Sequence, residues 1–240
     1  MTTVFLILLG ACLGSFIPCF AERRAAQESQ WTRSHCDHCG RTIAPLYLIP
    51  VAGYFLARGR CSHCQAAIPR IYPLLEALGA VIAGCFAMQH APFGHSMLLI
   101  ATASMLLLLS LDDWQSQLIY TSDLVLYALL LLIDLWLYGA HWWPDRLLGA
   151  AIVALPLLGI YLLRPDALGS GDIIFMAASG FYLGIVPTTY AFLLAMVLAL
   201  CYALYLLRGK SASQSTAIPL IPFLALGVLS QLLLSYNNIF

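Results

Sequence analysis

Eight stretches of apolar sequence, all but one about as long as a bilayer is thick when coiled as a helix, dominate this chain. A spanning helix takes roughly 20 mostly apolar residues, and such stretches lie at 2–21, 73–89, 96–112, 120–138, 147–163, 172–184, 188–207 and 217–236. A buried helix of a soluble domain can imitate one of them, but not a series joined by connections this short. Of the 240 residues 62% are hydrophobic and 9% charged, against roughly 25% charged in an average soluble domain. Soluble globular and disordered chains are both excluded. With eleven Lys+Arg against eleven Asp+Glu, the chain has no basic surplus for nucleic-acid phosphates. The expected fold is an all-α polytopic membrane protein of about eight transmembrane helices. The weakest stretches are 172–184, which is short, and its successor, because Gly184 and Pro187 interrupt the apolar run between them. No Lys or Arg precedes the first stretch, so it lacks the charged start of a cleaved signal peptide and is read as a retained helix.

Residues 22–72 differ from the rest. They carry seven of the eleven basic residues, four of the eight cysteines and three of the six histidines, with no apolar run long enough to span. The expected organisation is a first transmembrane helix at 1–21, a polar module at 22–72 and a transmembrane bundle at 73–240. No internal repeat is apparent elsewhere, and Gly209 to Thr216 is the other polar stretch of note. With the N-terminus outside and eight spans, the inner loops hold Arg23, Arg24, Arg33, Arg41, Arg58, Arg60, Arg70, Arg164, Arg208 and Lys210, and the outer side keeps Arg146. Inner loops are the ones enriched in Lys and Arg, so the module is expected in the cytoplasm.

Its cysteines form two pairs, Cys36-Asp-His-Cys39 and Cys61-Ser-His-Cys64, with 21 residues between them. Each C-x2-C turn presents two thiolates, and two such turns close a tetrahedral zinc shell. A module of about 50 residues is too small for a secure core of its own, so a structural zinc would supply much of its stability. The alternative is two redox disulfides, which a reducing cytoplasm disfavours. His35, His38 and His63 flank the site as substitute ligands, although four thiolates already fill it. Cys12, Cys19, Cys85 and Cys201 lie in apolar segments, where cysteine packs as a small hydrophobe.

Acidic residues in or beside membrane spans are costly and tend to mark function. Here they are Glu76, Asp112, Asp113, Asp123, Asp134 and Asp172. Asp112 and Asp113 end the third stretch and Asp172 begins the sixth within Gly169-Ser170-Gly171-Asp172. In the topology above, both places lie at the cytoplasmic face. Two carboxylates brought close together do not both ionise easily; they share a proton and can divide base and acid work on a water molecule. The plainer reading is that all three are helix-end residues in the headgroup region.

Gly14-Ser15-Phe16, the two cysteine pairs, Arg70-Ile71-Tyr72-Pro73-Leu74-Leu75-Glu76, Asp113-x4-Leu118-Ile119 and Gly169-Ser170-Gly171-Asp172 occur in an order that resembles the type IV prepilin peptidases. That resemblance implies a polytopic aspartic endopeptidase of the bacterial inner membrane. Such enzymes remove the basic leader from prepilins of type IV pili, or pseudopilins of type II secretion, on the cytoplasmic side. Many members also methylate the new N-terminus with S-adenosylmethionine. Carried across, the catalytic pair is Asp113 and Asp172, with Asp112 as the alternative for the first position. Glu76 and Asp134 are read as packing or polar partners within the bundle. The chain departs from the family where Tyr120-Thr121 replaces a usual Pro-Asp, where Ile174 replaces a common lysine and where Pro18 replaces a common asparagine. Competing readings are an ion-coupled membrane transporter, which predicts acids spread through the membrane depth and an internal repeat, and a non-enzymatic zinc-binding membrane scaffold.

Overall fold

The computed structural model describes residues 1–30, 32–89, 91–139, 142–164, 168–208 and 218–235; Lys210 and the polar stretch Gly209 to Thr216 lie outside them. The described residues are almost entirely helical. In chain order the helices are α1 (Thr2–Ala25), α2 (Ala52–Leu56), α3 (Ile71–Met88), α4 (Phe93–Ser116), α5 (Thr121–Tyr138), α6 (Trp143–Leu163), α7 (Ser170–Leu183), α8 (Ile185–Arg208) and α9 (Ile221–Ser235). Two isolated antiparallel bridges, His35 with Thr42 and Arg60 with Ala67, take the place of a sheet. The expected all-α polytopic class therefore holds. Each of the eight apolar stretches falls on a helix. Among the described residues six helices, α1, α3, α4, α5, α6 and α8, are long and apolar enough to cross a membrane. The 24-residue α8 is a full span. Shortness falls on α7, with 14 residues, and α9, with 15, each covering only about 21–23 Å at 1.5 Å per residue.

The chain divides into two compact units, Met1–Ile100 and Ala101–Phe240, the boundary falling inside α4. In the first, α1 packs along α3 through small residues. A Cβ on Gly10 would run into the Gly79 carbonyl and Ala83, and one on Gly14 into the Leu75 carbonyl. Close approach of backbones through small residues four apart is how helices associate where lipid removes the hydrophobic drive. The polar module grows from the ends of these two helices. Glu76, in the first turns of α3, accepts hydrogen bonds from Ser15 Oγ and from the backbone N–H of Val51, both at 2.5 Å. Val51 is held there at φ 61, a conformation that β-branched residues avoid, immediately before α2. Thus Glu76 joins three segments of the first unit as a polar partner, tying α1 and α3 to the loop that carries α2. Tyr72 Oη adds a 2.6 Å hydrogen bond to Glu22 at the other edge of the module.

In the second unit, α5 and α7 share a buried face. Tyr127 and Phe175 stack at 5.1 Å between centroids, Tyr127 Oη pairs with Ser179 Oγ at 2.8 Å, and Tyr182 Oη donates to Asp134 at 2.5 Å. Asp134 is thereby a partnered carboxylate inside the helix packing. Gly184, at φ 83, separates α7 from α8: a side chain there would overlap the Asp145 carboxylate, which accepts the Ile185 N–H at 3.3 Å.

The contact through Gly10 generates the first prediction. Gly10→Val places a branched side chain into the backbone of α3 and should sharply reduce the amount of protease-resistant protein in membranes. Gly84→Ala is the matched control, because its Cβ would meet Ile7 Cγ1 at an ordinary 3.5 Å. Equal accumulation of both variants would contradict the packing described.

Candidate active site and metal centre

The acidic site is built from the ends of helices in the second unit. Asp112 and Asp113 lie in the last turns of α4 and both are buried, 4% and 6% exposed. Neighbours on a helix point about 100° apart, so they face different surroundings. Asp113 Oδ2 accepts the buried N–H of Ile221, the first residue of α9, at 2.9 Å, and the N–H of Leu220 donates to the same carboxyl. Asp172, 8% exposed, is the third residue of α7, and its carboxyl lies within electrostatic reach of Asp113 while taking a hydrogen bond from the Gly169 N–H. Residues 59 positions apart in sequence are thus brought to one buried place. The loop after α4 closes over it. Gln117 turns at φ 53, and Ile119 settles on Gly171, where a Cβ would stand 2.7 Å from Ile119 Cδ1. The glycine between Ser170 and Asp172 therefore makes room for Ile119, joining the two aspartate-bearing segments. Next to Asp113 in sequence, Trp114 forms an aromatic chain with Tyr202 of α8 and Phe223 of α9, in 5.5 Å steps. Asp123 is elsewhere in its chemistry: half-exposed in the first turn of α5, it accepts from Ser122 Oγ at 3.2 Å.

The backbone donors of Leu220 and Ile221 are functional groups that side-chain motifs do not reveal. Their sequence signal is Pro219 and Pro222, which bracket a helix start.

In the first unit the four module cysteines converge. The Sγ atoms of Cys36, Cys39, Cys61 and Cys64 all lie within 4.8 Å of one another, and Cys36 to Cys64 is 3.8 Å. Zinc–sulfur bonds of about 2.3 Å at tetrahedral angles separate sulfurs by about 3.8 Å, so the donor set fits a four-cysteine zinc site. The two turns are built alike. The backbone of Cys36 accepts the Gly40 N–H and donates to the Arg41 carbonyl; 25 residues on, that of Cys61 accepts the Gln65 N–H and donates to the Ala66 carbonyl. Gly40 and Gln65 hold the same left-handed turn, at φ 67 and 59. The Cys61 Sγ accepts the His63 N–H at 3.5 Å, a hydrogen bond that favours the thiolate a metal needs. Two of the flanking histidines are engaged otherwise: His35 Nδ1 donates to the Arg33 carbonyl and His63 Nδ1 accepts from Arg41, both at 3.1 Å.

Comparison with known proteins matches both halves of the chain to one family. Residues 8–90 match the Bacterial Peptidase A24 N-terminal domain and residues 100–204 the Type IV leader peptidase family. The Prepilin leader peptidase/N-methyltransferase of Pseudomonas putida is 30% identical over 91% of this chain and 86% of its own length. The protein of the same name from Bacillus subtilis is 30% identical over 81% of this chain and 79% of its own length. That of Pseudomonas aeruginosa is 33% identical over 80% and 68% respectively. No solved structure matches significantly. The chain belongs to the type IV leader peptidase family, and it is a multi-pass member carrying the N-terminal cysteine module.

The fit of the cysteines predicts about one zinc per chain in purified protein, measured by metal analysis. Cys36→Ser should lose most of it, and acidification should release it as the thiolates protonate. A metal-free wild type with four independently reactive thiols would contradict the assignment.

Proposed function

We propose that this protein is an aspartic endopeptidase of the bacterial inner membrane, with its active site and zinc module facing the cytoplasm. Its substrates are type IV prepilins or type II secretion pseudopilins, and it removes their basic leader. Residues 1–21 anchor the module at 22–72, and 73–240 form the proteolytic bundle. What carries the reading is the meeting of Asp113 and Asp172, two carboxyls from separate motifs, in one buried place between helix ends. The names of the relatives support the substrate class, and the ten-to-one division of basic residues that eight spans give supports the orientation.

Cleavage on this reading involves no covalent intermediate. One aspartate, ionised, takes a proton from water as the water attacks the scissile carbonyl. The other, protonated, donates to the carbonyl oxygen, and a proton then reaches the leaving amine. A prepilin suits such a site because its leader is basic and its mature start is an apolar helix, which can lie among the spans while the scissile bond sits at the membrane surface. Zinc on Cys36, Cys39, Cys61 and Cys64 would act as a structural brace. N-methylation, with S-adenosylmethionine as donor, follows from the relatives' names alone; the sequence holds no glycine-rich nucleotide loop to seat it.

Coexpression with a prepilin, read by the mobility shift on leader loss, tests the peptidase. Asp113→Asn and Asp172→Asn should each lower cleavage by at least about a thousandfold, the scale of losing a principal acid or base, with protein level and zinc unchanged. Asp112→Asn and Asp123→Asn should keep substantial activity. Full cleavage by both Asp113→Asn and Asp172→Asn would reject the mechanism. Mass spectrometry of the mature pilin should show a methylated N-terminus, and an unmodified one after complete cleavage would leave a peptidase alone.

A further inference from the structure

The two carboxyls of the site do not have equal surroundings, and the difference comes from α9, which lies beyond the residues matched by the peptidase family model. Pro219 and Pro222 leave Leu220 and Ile221 as successive backbone donors at the start of that helix. The Leu220 carbonyl accepts the N–H groups of Phe223 and Leu224, marking Leu220 as the cap and Ile221 as the first helical residue. Both donors, Leu220 and Ile221, turn to Asp113. In effect Asp113, delivered from α4, is the cap of α9. Among the described residues Asp172 has one backbone donor, Gly169, from its own turn.

Resting on the peptidase reading above, we infer that Asp113 is the ionised member of the pair and acts as the general base, held so by the Leu220 and Ile221 N–H groups, while Asp172 carries the proton and acts as the acid. Hydrogen bonds to a carboxylate favour its charged form. Helix dipoles do not reverse the order. Asp113 sits between the negative end of α4 and the positive end of α9, which offset one another, and Asp172 faces the positive end of α7. A hydrogen bond to a charged group outweighs such a helix-end effect roughly two- to threefold, so the extra donor on Asp113 decides. Titratable groups at this end of the surrounding elements are Asp172 on α7, Asp112, Tyr120 and Asp123 along the same stretch of chain, and Cys201, Tyr202, Tyr205 and the exposed Arg208 on α8; α9 carries none.

The proton balance follows. Water gives one proton to Asp113 as its oxygen bonds to the scissile carbon, and Asp172 gives its proton to the carbonyl oxygen. When the C–N bond breaks, the amine takes the proton from Asp113, and Asp172 recovers its own as the new carboxyl carbonyl forms. Both groups end as they began.

Ile221→Pro removes the N–H donor at a position where proline suits a helix start, and Ile221→Ala removes the side chain but keeps the donor. With full-length enzyme in detergent and a synthetic peptide bearing a Lys/Arg-rich leader before an apolar segment, the acidic limb of the kcat/KM profile should move up by about one pH unit in Ile221→Pro. That limb belongs to the coupled pair and reports its first ionisation. In Ile221→Ala it should stay at the wild-type position. An alkaline limb that moves instead, or an acidic limb that stays in both, overturns the assignment. If Ile221→Pro does not fold, infrared titration gives the order directly. The aspartate left in Asp172→Asn should release its proton at lower pH than the one left in Asp113→Asn, and the reverse order overturns the inference. Inactive Asp113→Asn and Asp172→Asn enzymes with no movement at Ile221 reject this assignment alone, whereas full cleavage by both rejects the aspartic mechanism on which it rests.

Discussion

Placing two carboxyl groups together inside an apolar helix bundle is the constraint on which the second unit depends. A buried carboxylate without partners is costly, and two of them repel. The chain meets this with backbone donors gathered at helix starts. The start of α9 serves Asp113, the turn before α7 serves Asp172, and Ile119 lying on Gly171 joins the two aspartate-bearing segments. The Tyr127–Phe175 stack and the Tyr127–Ser179 pair then fix the rotation of α7 that turns Asp172 inward. Prolines 219 and 222 belong to the same device, because they leave the donors of Leu220 and Ile221 to a group outside α9.

In the first unit a carboxylate has a different duty. Glu76 accepts from Ser15 and from Val51, so the Gly14-Ser15-Phe16 segment and the Tyr72-to-Glu76 segment are two halves of one joint. The module beyond that joint has little apolar interior: its larger side chains Leu46, Leu48, Ile49, Phe55 and Leu56 are exposed. Its order comes instead from two like-built cysteine turns and from backbone bonds such as Ile43 N–H to Ser34 and Ile68 N–H to Gly59. A metal on the four thiolates is the natural closure of such a structure.

Much of this was legible in the sequence because it is written in local patterns. Apolar runs of bilayer length gave the helices, and C-x2-C spacing gave the cysteine cluster that the fold gathers. The stretch 188–207 is a full span in the 24-residue α8, and the described part of the last stretch begins as a helix at Ile221, after Pro219. The likeness of the two cysteine turns was obscured because Gln65 stands where Gly40 does. What could not be read were contacts between backbone and side chain over long separations. Ile221 N–H on Asp113 spans 108 residues and Val51 N–H on Glu76 spans 25, and a main-chain donor carries no letter code. Asp113 rather than Asp112 is picked out in sequence by its spacing to Leu118-Ile119, while the different surroundings of the two neighbours come from the 100° turn of helix between them.

The account stands or falls on Asp113 and Asp172 belonging to one centre. Cysteines placed at both positions, with Cys12, Cys19, Cys85 and Cys201 replaced by alanine and the metal-site cysteines kept, give the direct measurement. A short bifunctional thiol reagent should join Asp113→Cys to Asp172→Cys within one chain, detected as a single cross-linked peptide after digestion. The matched pair Asp112→Cys and Asp172→Cys should join much less efficiently. Efficient joining of 112 to 172 with none between 113 and 172 would contradict the site described and move its first carboxyl to Asp112.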